Sequence, residues 1–191
     1  MKRIYLLILW LLPFLMLPIY SQAISLPDLS DSSRYVQFES VADYKAYYVD
    51  LESITPTTAP EGHRRINATV YVMLNRAEYL SVIQMEYDYL LDHSLRQLLS
   101  KHDVLKYQGQ DTPYISVWRD KQDNIGITCR ILGVKGYTLS GNSIAELYKI
   151  DNVYKDISEL SFKGNRYKML NAIYKQAYGI NFDDEMSSKL L

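Results

Sequence analysis

The chain has 191 residues, of which 21 are basic and 22 acidic, for a formal net charge of -1 at neutral pH. That balance argues against nucleic acid as a partner, because phosphate recognition needs a concentrated basic face. Hydrophobic residues make up 48% of the chain, which excludes global disorder and is enough for one packed domain of this length.

The N-terminus carries Lys2 and Arg3, then an apolar run from Ile4 to Tyr20, then Ser21-Gln22-Ala23. A basic start, an apolar stretch and a small-x-small end predict a secretory signal, residues 1–23, cleaved after Ala23. The run is also long enough for an uncleaved anchor helix. Pro13 and Pro18 weigh against the anchor, since proline interrupts helices. Cleavage would remove two of the 21 basic residues and none of the acidic ones, leaving a formal charge of -3. Membrane contact is expected only through this segment before its removal.

Residues 24–33 are rich in Ser, Asp and Pro and read as a flexible lead-in. Arg34 to Ser40 is a first strand, and Ala42-Asp43 a short turn. Tyr44 to Leu51 is a second strand with Tyr47, Val49 and Leu51 on one face and Tyr44, Ala46 and Tyr48 on the other. Both faces are apolar, as in a strand covered on two sides. Asp50 to Pro60 reads as a corner, with Asp and Ser side chains bonding nearby backbone N–H groups. Ile66 to Asn75 alternates strictly, with Ile66, Ala68, Val70, Val72 and Leu74 facing one way. Period two over ten residues predicts a strand with one buried face. Arg76-Ala77 closes a hairpin into a return strand, Glu78 to Leu90, with Tyr79, Ile83, Met85, Tyr87 and Tyr89 on one side.

Leu95 to Tyr107 suits either helix or strand and is assigned to strand. Tyr114 to Trp118 reads as extended, Asp120 to Asn124 as a turn, and Ile125 to Leu132 as a last strand. Gly133, Gly136 and Gly141 then punctuate an irregular segment. Asn142-Ser143 offers a helix cap to a short helix through Ile144, Leu147 and Tyr148. Asp151 to Lys163 has no clear pattern. Arg166 to Tyr178 is an amphipathic helix with Tyr167, Leu170, Ile173, Tyr174, Ala177 and Tyr178 on one stripe, stopped by Gly179. Asp183 to Leu191 reads as frayed.

The fold class is α+β: an antiparallel sheet of about six strands, with C-terminal helices packed on one face. The sheet domain spans 34–150, a C-terminal helical extension 151–180, and a tail 181–191. The 18 tyrosines fall mostly in strand-like runs. Tyrosine suits a pleated, half-wet surface, which is the preferred explanation; a tyrosine-rich contact surface is the other.

The residues that could carry chemistry do not assemble into a site. His63 lies in a Pro/Gly loop, His93 in a turn and His102 beside Asp103; none has the spacing to another His or Cys that zinc prefers. Leu139 to Ser143 lacks the first glycine of a nucleophile elbow. Asp183-Asp184-Glu185 reads as solvated tail. Cys129 is the one cysteine, so no intramolecular disulfide forms; its apolar neighbours predict a buried, inert thiol. A Cys129–His102 thiolate pair is conceivable, but nothing in the sequence joins them. No catalytic residue, cofactor ligand or metal site is expected.

The order of elements resembles the bacterial surface-adhesin protein E-like family. The resemblance rests on Arg34-Tyr35-Val36, on Tyr47-Tyr48-Val49-Asp50-Leu51-Glu52-Ser53-Ile54, on the Tyr107-x-Gly109 turn and on Asn142 to Tyr148. It covers roughly Arg34 to Ile150. It implies a small antiparallel sheet with a helix on its concave face, an exported protein and, in some members, host-protein binding. The chain departs from the family in having neither a lipidation cysteine nor a second cysteine to tether helix to sheet. The expected function is an exported, non-enzymatic binding protein contacting an envelope or host protein, in the periplasm, on the surface or secreted. The alternatives are an accessory or assembly subunit docked through the C-terminal helix, and an enzyme using His102, Asp103 or Cys129.

Overall fold

The computed structural model describes residues 29–41, 45–101, 112–148, 154–156 and 164–186. The expected leader, the Ala42-Asp43 turn, His102, Asp103 and the Tyr107-x-Gly109 turn lie outside these residues, as does most of the lead-in.

Six strands lie side by side in chain order: β1 (Tyr35–Val41), β2 (Lys45–Thr57), β3 (His63–Leu74), β4 (Tyr79–Leu90), β5 (Ile127–Thr138) and β6 (Ser143–Tyr148). Every pairing is antiparallel, and a two-residue strand, β7 (Lys155–Asp156), pairs with Thr128 and Cys129 at the start of β5. The β3–β4 hairpin runs without interruption from His63 opposite Leu90 to Leu74 opposite Tyr79. Its register follows from the alternation in the sequence, since a slip of one residue would turn Ile66, Ala68, Val70 and Val72 to the other face. Those four side chains are buried together with Tyr87 and Tyr89 of β4 and Ile127 of β5.

Three helices complete the described fold: α1 (Leu95–Lys101) and α2 (Thr112–Asp123) between β4 and β5, and α3 (Asn165–Tyr178) after the sheet. The apolar stripe of α3 is the expected one. Tyr167, Leu170, Ile173 and Tyr174 join the core that holds Val49 and Ile66. The Tyr89 hydroxyl donates to the Leu170 carbonyl (2.9 Å). Gly179, in the left-handed region at φ 80°, ends the helix and donates its N–H to the Lys175 carbonyl.

A second cluster occupies the opposite face: Leu29, Tyr35, Tyr71, Leu80, Val82 and Tyr137. Strand β2 therefore meets apolar contacts on both faces, with Val49 in one cluster and Tyr48 against the other. Tyrosines build both. Tyr35 packs edge-on to Tyr71 (5.5 Å between centroids), and Tyr89 edge-on to Tyr174 (4.9 Å) and to Phe182 (5.3 Å). Aromatic pairs at these separations and angles add to their area burial.

Several sequence expectations are corrected. Leu95 to Lys101 is helix, not strand. Tyr114 to Trp118 and most of the expected turn after it belong to α2, which starts at Thr112-Pro113; proline fits the first helical turn because that N–H has no intrahelical acceptor. Strand β5 continues through Gly133 and Gly136, which the sequence reading placed in an irregular segment. Gly136 packs so closely under Tyr79 that a methyl group there would collide with the Tyr79 hydroxyl; the glycine serves a close approach rather than a turn. Ser143 to Tyr148 is strand β6, not a capped helix, because β5 offers it a ladder from Gly133 to Tyr137. Strand β2 passes its expected end at Leu51 and reaches Thr57, with an irregularity between Asp50 and Thr55. The chain after Tyr178 is fastened at least as far as Glu185: Phe182 to Asp184 forms a 3-10 turn and Phe182 is fully buried.

Candidate functional site

The candidate histidines are more engaged than surface loops would allow. His63 opens β3 and pairs through Nδ1 with Asp88 (2.7 Å), which also accepts from Arg65 Nε (2.9 Å). His93 ends a 3-10 turn at Leu91–His93; burial is the main cause that pulls its pKa below the ordinary value, and nearby Lys101 and Lys121 add to it. Cys129 is half-buried in β5 rather than fully enclosed. Its conceivable partner, His102, lies outside the described residues. Asp183 and Glu185, expected to be solvated, are hydrogen-bonded: Asp183 accepts from the Tyr167 hydroxyl (2.7 Å), and Glu185 from the Tyr174 hydroxyl (2.7 Å). The Leu139–Ser143 stretch is the β5–β6 turn, with Gly141 at φ 85° and its N–H donating to the Thr138 carbonyl.

The Asp50–Ser53 corner has the structural role expected of it. Asp50 is buried, takes Arg34 in a two-pronged pair (3.1 and 2.9 Å) and accepts the Glu52 N–H. The Ser53 hydroxyl donates to the Asp50 carbonyl and accepts the Thr69 N–H. These bonds bridge the place where the β2–β3 ladder is irregular.

Three further features bring polar or open surface together. The first is a buried lysine. Lys121 of α2 is 0% exposed. Its ammonium donates to the carbonyls of His93 and Ile125, lies 3.3 Å from Asp183, and sits over the rings of Phe182 (4.5 Å) and Tyr167 (5.4 Å). Burial pulls its pKa down to about 8, against the opposing pull of Asp183. This arrangement ties α2 and the turn after β4 to the chain beyond α3.

The second is a charged cluster on β3, β4 and β5. Glu86 and Asp88 are buried on the face opposite the Tyr87 and Tyr89 side chains. Arg130 pairs with Glu86 (2.7 Å), Arg65 with Asp88, and the Tyr154 hydroxyl donates to Glu86. The guanidinium groups of Arg65 and Arg130 both stack on the Tyr154 ring, 5.1 and 5.0 Å from its centroid. Desolvation, then the bond to Glu86, pushes the Tyr154 hydroxyl up to about 12. Each carboxylate has its cation, and the cluster clasps the segment before β7 to the sheet.

The third is the open site. A cavity of about 180 Å3 lies between the sheet and the first turns of α3. Val70, Val72, Ile83 and Met85 form its floor, Tyr47 and Cys129 flank it, and Met169 and Leu170 cover it from the helix. Arg166 stands at the mouth, exposed, with its guanidinium 5.2 Å from the Tyr47 ring centroid and Nη2 donating to the Tyr47 hydroxyl (3.2 Å). Lys45 stacks on the same ring at 4.7 Å. Tyr87 at the base donates its hydroxyl to Met85 Sδ, and burial holds its pKa far above the ordinary value. At the edge of the sheet, Ile144 of β6 is 56% exposed.

Among the described residues, no group of three or more His, Cys, Asp or Glu is placed to hold a metal ion. Sequence reasoning missed Lys45, Lys121 and Arg166. Lys121 had little signal: it lies one turn after the buried Val117 on the same side of α2. Lys45 and Arg166 had none, because 121 residues separate two cations that each stack on the Tyr47 ring.

No family model, curated protein or solved structure matches this chain.

Proposed function

We propose that the chain is an exported, non-enzymatic binding protein that contacts another protein, in the manner its resemblance to the surface-adhesin protein E-like family implies. The basic, apolar, small-x-small start supports export to the periplasm, the surface or the medium. In this reading the helices cover one face of the sheet, and the edge of the sheet meets the partner. The observation that carries the reading is Ile144, a large apolar side chain left exposed on a terminal strand. An outer strand presents unpaired N–H and C=O groups, and an extended segment of a partner can add to it by main-chain hydrogen bonds. Ser143-Ile144-Ala145 opens that strand with neither proline nor charge. Docking through α3 has less support, because the apolar stripe of α3 already lies in the core.

The test has two parts. Cell fractionation with protease shaving and sequencing of the N-terminus should give an exported chain starting at Ile24; a cytosolic chain that keeps Met1 would refute export. A photoreactive residue at position 144 should cross-link to one envelope or host protein, and Ile144→Lys should prevent capture of that protein without lowering protease resistance. A folded chain with no cross-link from position 144 would refute the edge as the contact.

A further inference from the structure

We infer that the cavity under α3 binds a small neutral molecule: one ring or a short chain that carries a single carbonyl-type oxygen and takes its hydrogen bond from the Tyr87 hydroxyl. Three observations converge. The volume, about 180 Å3, is close to that of apolar protein cavities, about 150 Å3, that stay dry and take up benzene. A body of one ring or a short alkyl chain therefore fits, and a drug-sized ligand does not, since such sites run to about 300–1,000 Å3. The lining is the second observation. Its buried members are Val70, Val72, Tyr87, Met169 and Leu170, none of them charged. An ion at that depth would lose its water without a counter-charge, so the ligand is neutral. Met85 on the sheet and Met169 on the helix bring flexible thioether chains that adapt to the outline of a guest.

The third observation sets the polar atom. Tyr87 is 2% exposed, and its hydroxyl donates to Met85 Sδ (3.2 Å). That bond joins two residues of the lining. A hydroxyl has one proton to give, and a thioether sulfur is a weak acceptor. The cost of taking this hydroxyl out of water is already met by the fold, so exchanging sulfur for a better acceptor is favourable. A carbonyl oxygen is such an acceptor, and the flexible Met85 chain can yield the place to it. The site depends neither on the export signal nor on the edge strand, so it stands apart from the protein-contact reading.

The probes are acetophenone and 2-phenylpropene, which has the same outline with a CH2 group in place of the carbonyl oxygen. Each is titrated into the protein as purified from the producing cell and labelled with 13C at the methionine methyls. Met85 and Met169 line the cavity; Met73 packs against the other core cluster and Met186 lines a different cleft. Acetophenone should shift the Met85 and Met169 signals in a saturable way and leave Met73 and Met186 in place. Tyr87→Phe keeps the ring and removes the donor. It should weaken acetophenone about fivefold, the size of one hydrogen bond, and leave 2-phenylpropene unchanged. Met85→Leu, read at Met169, removes the competing sulfur and should favour acetophenone over 2-phenylpropene more than the parent does. The inference is overturned if acetophenone gives no saturable shift at Met85 and Met169 of the parent, a result that needs no variant. It is equally overturned if Tyr87→Phe changes the affinity for both probes by the same factor, or if Met85→Leu leaves their ratio as in the parent or lowers the preference for acetophenone.

Discussion

At the scale of single residues, Lys121 is the group on which most depends. A buried ammonium is costly unless several acceptors surround it. Here two carbonyls, one carboxylate and two ring faces do so. Lys121→Met keeps the volume and removes the donor, leaving the His93 and Ile125 carbonyls and Asp183 short of a partner. We predict a loss of about 3 kcal/mol in urea denaturation, the size expected when one member of a buried charged set is removed. The same lysine makes stability depend on pH. Its pKa falls from 10.5 in the unfolded chain to about 8 in the folded one, so the unfolded state holds more protons in that window. Its contribution is full above pH 10.5 and is lost as pH falls to about 8, an effect of about 3 kcal/mol by linkage. Stability should therefore rise between pH 8 and pH 9.5 in the parent and stay flatter in Lys121→Met. Equal slopes in the two proteins would refute the assignment.

At the scale of elements, two glycines and one helix show how packing decides what local preference leaves open. Glycine normally weakens a strand, yet Gly136 sits inside β5 because Tyr79 lies across it. Gly126, before β5, has φ 74° and abuts the His93 side chain. Gly126→Ala combines a strained backbone with a collision. It should lose more than the roughly 0.4–1 kcal/mol that such a change gains at an unstrained site, about 2 kcal/mol in thermal or chemical unfolding. Helix α3 is part of the sheet's core rather than an appendage. Ile173 and Leu170 are enclosed, and the Leu170 carbonyl serves the buried Tyr89 hydroxyl. Ile173→Ala should cost about 3 kcal/mol and Phe182→Ala about 4 kcal/mol, within the ranges for emptied core sites. Truncation before Gly164 should leave the sheet unfolded, as judged by lost β-sheet circular dichroism. A truncated chain that keeps a cooperative transition would show that the sheet stands alone.

At the scale of the whole molecule, a single cysteine means that tertiary contacts, rather than an intrachain disulfide, must hold the domain. Buried tyrosines supply much of them, and they set the alkaline limit. Burial raises the pKa of Tyr71, Tyr87, Tyr89, Tyr167 and Tyr174 above the ordinary 10. A raised folded-state pKa gives stability that is present below pH 10 and lost as pH climbs toward the folded values. Unfolding should therefore begin steeply above pH 10. Tyrosine ionisation, followed by absorbance near 295 nm, should rise together with the loss of circular dichroism rather than ahead of it. Ionisation of the core tyrosines in a still-folded chain would refute this account.

Alternation made the β3–β4 hairpin and both faces of β2 legible, and helical periodicity made α3 legible, because the side chains each gives to the two core clusters are apolar and evenly spaced. The sequence alone also settled the absence of an intrachain disulfide. It misread α2, because the buried stripe of that helix contains a lysine, and β5 and β6, because the reasons for their form lie on Tyr79 and on a neighbouring strand. The cavity mouth could not be read at all. Lys45, Tyr47 and Arg166 carry no local pattern, and only folding brings a cation from the start of α3 to a ring on β2. Local preferences act over a few residues, while a site is made by distances that the closed chain alone defines.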